Sequence, residues 1–392
     1  MRKRGTRHLR ERDGGEQPTT AVELLFDLVY VFAVTQLSHL LIGDLTLAGA
    51  ARTLFLLWVV WWAWIYTTWM VNWFDPGSTA VRLVLVVSGL ASLLMAAAIP
   101  HAFGQTGALF AGSYVGLQVG RNLAAAALLD RDHVLRRIFE RIVLWSVLSG
   151  ALWIAGGVAA PHLRLAFWGP ALAIDLIAPA LGYRVPGLGS ATTSEYPVEG
   201  GHFAERFQGF IIIALGESIV VTGATASAAG LSSSIVWSLA VAFLGTSALW
   251  WLYFGEVAGH SRRLLAEADD PGSLARDAYS YLHLPIVAGI IAVAVGNDIL
   301  IRHPHRVLST AGALTMLGGP ALYLFGESMF RLRMIGSVSP KRIGTVAVIC
   351  LLGVPAAYVS AIVISAALAA VLTGLATWEW SGVIREARAG AV

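Results

Sequence analysis

Two carboxylates four residues apart, Glu23 and Asp27, stand in the run VELLFDLVYVFAVTQL (residues 22–37), which is otherwise apolar enough for lipid. That spacing sets both on one face of a helix. An acidic first turn capped by Thr19 or Thr20 and favoured by the helix macrodipole accounts for Glu23. Asp27 lies deeper, between apolar neighbours, where an unpaired carboxylate is costly; it must face the protein interior and find a partner. Glu205 and Arg206 open a second such run, and Glu217 lies near its middle, too deep to reach water. Its readings are a substrate- or proton-handling group and a structural partner for a buried cation, for which Arg121 is the candidate. Glu327 in LFGESMF repeats the Gly-Glu-Ser triplet of 216–218 nearer the end of its run, and reads as an interfacial carboxylate.

His283 and Arg82 open two further apolar runs at matched places. With Glu23, Asp27 and Glu205 they would form a polar vestibule, in which His283 could titrate near neutral pH; a satisfied helix-end histidine is the plainer reading. Three chemistries suit such a set. The groups could handle ions along a pathway, act as general acids of a membrane-embedded enzyme on a lipid or isoprenoid, or fix helix register in a non-catalytic stress-related scaffold.

Other residues point to architecture. The rings of WVVWWAWIYTTWMVNWF are mostly too central for an interfacial belt, so they fill the core or line an aromatic pocket made by Trp62, Tyr66, Trp251 and Tyr253. Gly209, Gly216 and Gly223 recur every seven residues and predict a smooth stripe against which another backbone packs. No Walker loop, HExxH, Cys/His cluster or GxSxG elbow is present, and Asp269-Asp270 runs into Pro271 rather than a DDxxD helix. No cofactor or metal is therefore expected. A net charge of +3, drawn largely from the N-terminal segment and the loops, gives no reason to invoke nucleic acid.

The elements that must position these groups follow from composition. Of 392 residues 57% are hydrophobic and 13% charged, with mean hydropathy +0.70, against about a quarter charged in soluble domains. This predicts an all-α polytopic membrane protein, whose partners are the bilayer and a small solute or ion; oligomerisation is left open. Crossing a bilayer takes about 20 apolar residues, and apolar segments lie near 20–42, 51–73, 82–103, 107–129, 138–160, 163–182, 203–226, 235–257, 279–301, 307–330, 341–361 and 363–380. The last pair reads as two short helices broken near Pro355 or as one kinked helix, which would reduce twelve spans to eleven.

Residues 1–18, with Arg2, Lys3, Arg4, Arg7, Arg10 and Arg12, read as a basic, disordered cytoplasmic tail without a signal-peptide cleavage site. With the N terminus inside, arginines such as Arg131, Arg136, Arg137, Arg262, Arg263 and Arg333 all fall on the cytoplasmic side, and only Arg52, Arg164, Arg302 and Arg306 on the outer side. Both termini are then cytoplasmic, in the bacterial inner membrane. Laying Glu23 on Glu205, WWAWIY on WWLYFG, Arg82 on His283 and Gly107 on Gly312 aligns two halves with a smoothly growing offset. The expected plan is two parallel six-helix repeats, 19–182 and 203–380, joined by a cytoplasmic linker, 183–202, and followed by a cytoplasmic tail, 381–392.

The stretches ELLFDLVYVFAV, WWAWIYTTWMVNWFD, HFAERFQGFIIIALGES, LWWLYF and YLHLPIVAGI resemble the motifs of the bacterial low-temperature-requirement A family, LtrA, over about residues 19 to 380. More distantly, FDLVYVFAVT (26–35) is similar to the first-helix motif of the FSD-motif lysosomal potassium channels, which are also built from six-helix repeats. Asp27, Tyr30 and Thr35 match it, and Phe26 stands where that motif has Ser. The leading expectation is a secondary transporter or channel-like permease whose pathway runs between the repeats, with Asp27 and Glu217 facing it.

Overall fold

The apolar stretches become helices almost residue for residue. The computed structural model describes residues 8–11, 17–193 and 198–389, so part of the expected N-terminal tail, part of the linker and the last three residues lie outside the described residues. In chain order the first helices are α1 (Ala21–Gly43), α2 (Leu47–Trp73), α3 (Thr79–Ala98), α4 (Gly107–Ala127), α5 (Val134–Val158) and α6 (Arg164–Ile177). There follow α7 (Gly200–Ala229), α8 (Ser233–Leu252), α9 (Ala258–Glu267), α10 (Pro271–Leu274), α11 (His283–Arg302), α12 (Thr310–Ile335), α13 (Pro340–Leu351) and α14 (Ala361–Ala389). Each of the twelve apolar stretches holds one helix; α9 and α10 fall in the connection between α8 and α11. Nine helical segments among the described residues are long and apolar enough to cross a membrane. Outside that set are α6, with 14 residues, α9, with 10, and α4 and α12, which carry Gln118, Arg121 and Asn122 and Glu327, Arg331 and Arg333 respectively.

Local chemistry sets the ends. The Thr46 hydroxyl accepts from the Gly49 amide at 3.0 Å and starts α2 earlier than hydropathy alone indicates. The Ser309 hydroxyl accepts from the Gly312 amide at 3.1 Å to cap α12, which ends at Gly336 in the left-handed region, φ +76°. The expected run 163–182 is helical only to Ile177, because Gly182 and Tyr183 turn with positive φ just beyond Pro179. The open choice at 341–380 resolves as two helices. After α13 the chain passes through a 3-10 turn at Pro355–Ala357, where proline supplies no amide to a continuing helix, and α14 begins with the Ala361 amide on the Arg306 carbonyl at 2.8 Å. Two single turns, Tyr253–Val257 and Ala275–Tyr281, are π-helical.

Two compact units are resolved: Met1–Gln36, Phe55–Arg206 and Ala268–Ala275 form the first, and Leu37–Leu54, Phe207–Glu267 and Arg276–Val392 the second. The first has an aromatic heart. Trp61, Trp62, Trp64, Trp153 and Trp168 are all essentially inaccessible, with Trp153 and Trp168 5.5 Å apart and Phe55 stacked on Trp168. Arg164 gathers the ends of neighbouring helices, donating to the carbonyls of Ala102, Gly104 and Gly157; a Cβ at Gly107 would fall on its guanidinium.

In the second unit α11 and α12 meet backbone to backbone. A Cβ on Gly289 would lie 2.6 Å from the Tyr323 amide nitrogen, one on Gly319 2.8 Å from that of Val293, and one on Gly326 2.8 Å from that of Ile286. This is the small-residue contact the sequence predicts on α7. At Gly209, Gly216 and Gly223 themselves an added Cβ meets nothing within 4 Å, so that stripe is not a close-packing seam.

Candidate functional site: buried charge clusters

Glu23 and Asp27 point from one face of α1 into the first unit, and each has found a basic partner. Glu23 is fully buried; its Oε2 accepts from the Thr20 amide at 2.8 Å and hydroxyl at 2.7 Å, so the acid closes the first turn and Thr20 donates to it rather than capping the helix. Its Oε1 lies 2.7 Å from His202 Nε2, and an Arg10 guanidinium nitrogen lies 3.2 and 3.3 Å from its two oxygens. His202 Nδ1 lies 3.2 Å from the Asn72 amide nitrogen, which also donates to the Glu199 carbonyl at 2.9 Å. An Arg10 guanidinium nitrogen also lies 3.0 Å from His202 Nε2, so this imidazole nitrogen sits between the Glu23 carboxylate and the Arg10 guanidinium.

One turn deeper, Asp27 takes both terminal nitrogens of Arg206, at 2.6 and 2.8 Å, and the Trp64 indole N–H at 2.8 Å; the guanidinium carbon lies 5.7 Å from the Trp64 ring centre. This bidentate pair is buried on both sides. Glu205 joins the same cluster at its edge by accepting from the Thr19 amide at 3.2 Å. Arg82 does not: its exposed side chain donates to the Pro76 carbonyl at 2.8 Å and pins the turn before α3.

A second chain of polar groups crosses the same unit from α4 to α6. Arg121, 2% exposed, donates to the Thr67 hydroxyl at 2.9 Å, to the Ala63 carbonyl at 3.2 Å and to Gln118 Oε1, and lies 5.4 Å from the Tyr66 ring centre. Gln118 donates to the Tyr114 hydroxyl at 3.1 Å, and Tyr114 donates to Asp175 at 2.9 Å. The same Asp175 oxygen accepts from the Trp153 indole at 2.9 Å. Arg121 is thus joined to a carboxylate two side chains away. Of the aromatic candidates, Trp62 donates to the Asp175 main-chain carbonyl at 3.1 Å and Tyr66 accepts from Tyr183 at 2.7 Å, both within this core.

The second unit holds the remaining candidates. Glu217 is buried on α7 beside Ser218, whose hydroxyl receives the Asn297 side-chain amide at 3.3 Å. Asn297 in turn lines a partly open pocket together with Thr246, Met316, Pro320, Ser365 and Ala369, from α8, α11, α12 and α14. His283 is fully buried, 2.9 Å from the Tyr253 hydroxyl, and lies flat against Tyr279 at 5.1 Å. Tyr253 is buried, whereas Trp251 is 43% exposed and leans edge-on against Trp380. Glu327, expected at an interface, is fully enclosed and pairs with Arg342 at 2.7 Å, which also holds Glu379 at 2.9 Å.

Residues 19–377 match the family described as bacterial low temperature requirement A protein, LtrA. The chain belongs to the LtrA family. An uncharacterized protein of Rhizobium meliloti strain 1021, RA0937, is 37% identical to this LtrA chain over 341 residues, covering 87% of it and 83% of the relative. No solved structure matches. With its apolar helices, family membership makes this LtrA chain an integral membrane protein.

Sequence reasoning picked out the acids of these clusters better than their partners. Arg10 falls within the stretch expected to be a disordered tail, yet Leu9 bridges to Phe74 and the Arg10 amide donates to the Trp73 carbonyl at 2.9 Å. His202, Arg342 and Glu379 were not singled out. Asp175 was missed although it carries the same signal as Asp27, a lone carboxylate in an apolar run.

Proposed function

We propose that this LtrA protein is a secondary transporter or channel-like permease for an ion or small solute, seated in the bacterial cytoplasmic membrane with both termini in the cytoplasm. The observation that carries this reading is the pocket of the second unit, where Asn297, Thr246 and Ser365 supply hydrogen-bonding groups among otherwise apolar walls. Polar groups on such apolar helices are costly unless they serve a solute or one another, and α12 contributes Pro320 to the same wall, which withdraws one backbone amide from the helix ladder. Asp298, the residue after Asn297, is the ionisable group next to this wall in sequence and is held by Thr225 and Arg302 at 2.7 Å each, while Glu217 adjoins Ser218, which receives the Asn297 side-chain amide. The orientation is supported by the uneven placement of Arg and Lys along the loops.

Proteoliposomes made with the full chain test it. A pH- or ion-dependent flux is expected, reduced about tenfold or more by Asn297→Leu, since filling the pocket wall blocks a solute at a cost of at least about 1.4 kcal/mol in barrier, roughly one decade in rate. Fluorescent reporters on both ends should both report the cytoplasm. Absence of flux across a broad set of ions and metabolites would overturn the proposal.

The sealed Asp27–Arg206 pair favours a second reading, a non-catalytic scaffold whose buried charges hold helices in register. It predicts variants that are silent in every flux assay but unfold at lower temperature.

A further inference from the structure

We propose that Arg141 binds the phosphate of an anionic phospholipid, with Arg137 as the second cationic contact and the exposed leucines further along α5 as the bed of an acyl chain. The site does not depend on the transport reading.

Arg141 lies two turns into α5 and is only 8% exposed. Its Nε and one terminal nitrogen are enclosed without a hydrogen-bond partner, and the other terminal nitrogen is not enclosed. Among the described residues no carboxylate, carbonyl or hydroxyl takes up this guanidinium. The other buried arginines are held by the protein: Arg206 by Asp27, Arg342 by Glu327 and Glu379, Arg164 by three carbonyls, and Arg121 by Thr67, Ala63 and Gln118. A buried cation whose donors the protein does not satisfy is costly, so Arg141 calls for an acceptor from outside the chain.

The helix face decides what that acceptor is. Arg137, Arg141, Leu144 and Leu148 follow one another at i, i+4, i+7 and i+11, a single stripe of α5. Arg137 is exposed, and Leu144 and Leu148 are 46% and 56% exposed. On a helix of lipid-spanning length and hydropathy those leucines meet hydrocarbon. Arg141 therefore stands where the apolar stripe ends and Arg137 where the charged end of the helix begins. Helical side chains lean toward the helix N terminus, which carries the Arg141 head back toward the turn of Arg137 and the headgroup layer.

The neighbouring charges leave these two arginines unmatched. Arg136 pairs with Glu140 at 2.8 Å and donates to the Leu129 carbonyl at 3.1 Å. Asp130, Arg131 and Asp132 are exposed in the turn before α5, and neither aspartate forms an ion pair with Arg137 or Arg141. A phosphodiester brings one negative charge and two non-bridging oxygens to two guanidinium groups one turn apart. Its acyl chains continue along Leu144 and Leu148, a continuation of which free phosphate makes no use. That selects the lipid.

The test is thermal unfolding of the full-length protein in phosphatidylcholine nanodiscs with and without phosphatidylglycerol of the same acyl chains, joined to native mass spectrometry of the lipids retained from the mixed discs. The wild type should unfold at a higher temperature when phosphatidylglycerol is present and should retain it over phosphatidylcholine. Arg141→Gln should lose that increment and bind phosphatidylglycerol about tenfold or more weakly, the loss of one charge-assisted contact. In phosphatidylcholine alone it should be no less stable than the wild type, because it removes a cation that no protein group pairs. Arg131→Gln, the same change of net charge off the stripe, should behave as the wild type. Equal losses in Arg131→Gln and Arg141→Gln would reduce the effect to general charge attraction and overturn the site, as would an Arg141→Gln protein that retains phosphatidylglycerol normally. Inorganic phosphate that stabilises the protein in phosphatidylcholine as much as phosphatidylglycerol does, and only with Arg141 in place, would assign the guanidinium to a free anion and overturn the lipid assignment. If Arg141→Gln does not fold, Arg137→Gln decides, with weakened retention expected and normal retention overturning the proposal.

Discussion

Asp27 shows what one residue in an apolar run can and cannot reveal. Its burial followed from the sequence, because an acid flanked by Phe26 and Leu28 on a lipid-length helix is tolerated only when turned inward. Its partner did not: Arg206 lies 179 residues away, and nothing local links the two. The pair makes a specific prediction. Asp27→Ala strands a buried guanidinium and should cost about 3–5 kcal/mol, read as a large fall in thermal unfolding temperature in detergent. Converting both, Asp27→Leu with Arg206→Met, removes the stranded charge and should recover much of that loss. If the double variant is no more stable than the single one, the Asp27–Arg206 pair is not what holds this part of the fold. Asp175 extends the lesson: the rule that singled out Asp27 applies to it equally, but the Tyr114 and Trp153 donors that satisfy it come from α4 and α5, which only packing brings together.

At the scale of elements, hydropathy was read well and glycine was not. Helices coincide with the apolar stretches because desolvated backbone must satisfy itself within the helix, so a lipid-length run has little other choice. A glycine repeat, by contrast, states that a close approach is permitted and says nothing of whether a neighbour takes it up. The α11–α12 contact is where it is taken up, through Gly289, Gly319 and Gly326. Gly319→Leu should push these helices apart and cost about 1–3 kcal/mol, as overpacking does, whereas Gly216→Ala, with no atom within 4 Å of the added carbon, should be close to neutral. Comparing the two unfolding temperatures decides between a tight seam on α11–α12 and one on α7. The break between α13 and α14 was legible in part, since Pro355 marks it, but its sharpness comes from the Ala361 and Ile362 amides bonding to carbonyls of the loop after α11.

For the whole molecule, the distribution of buried charge separates the readings of function. Asp27→Asn keeps shape and removes one charge of a sealed pair, whereas Glu217→Gln alters an acid adjoining the Ser218 contact of a pocket-lining residue. If the protein is a permease acting through the pocket, Glu217→Gln should lower flux at an unchanged unfolding temperature, and Asp27→Asn should lower stability first. Equal loss of stability in both, with no flux in the wild type, selects the scaffold.

Composition and hydropathy determined that this chain is helical and integral to a membrane, because desolvating the backbone along so many apolar stretches leaves few folds open; the LtrA family was read from the resemblance of its motifs, not from composition. Hydropathy also marked several of the acids that had to be hidden. Which cation each acid meets, that Arg10 and His202 close over Glu23, that Glu327 shares one guanidinium with Glu379, and where a partly open pocket forms were decided by tertiary structure. Ion pairs and hydrogen bonds depend on fractions of an ångström between residues far apart in the chain, whereas hydrophobic burial depends only on what lies next along it.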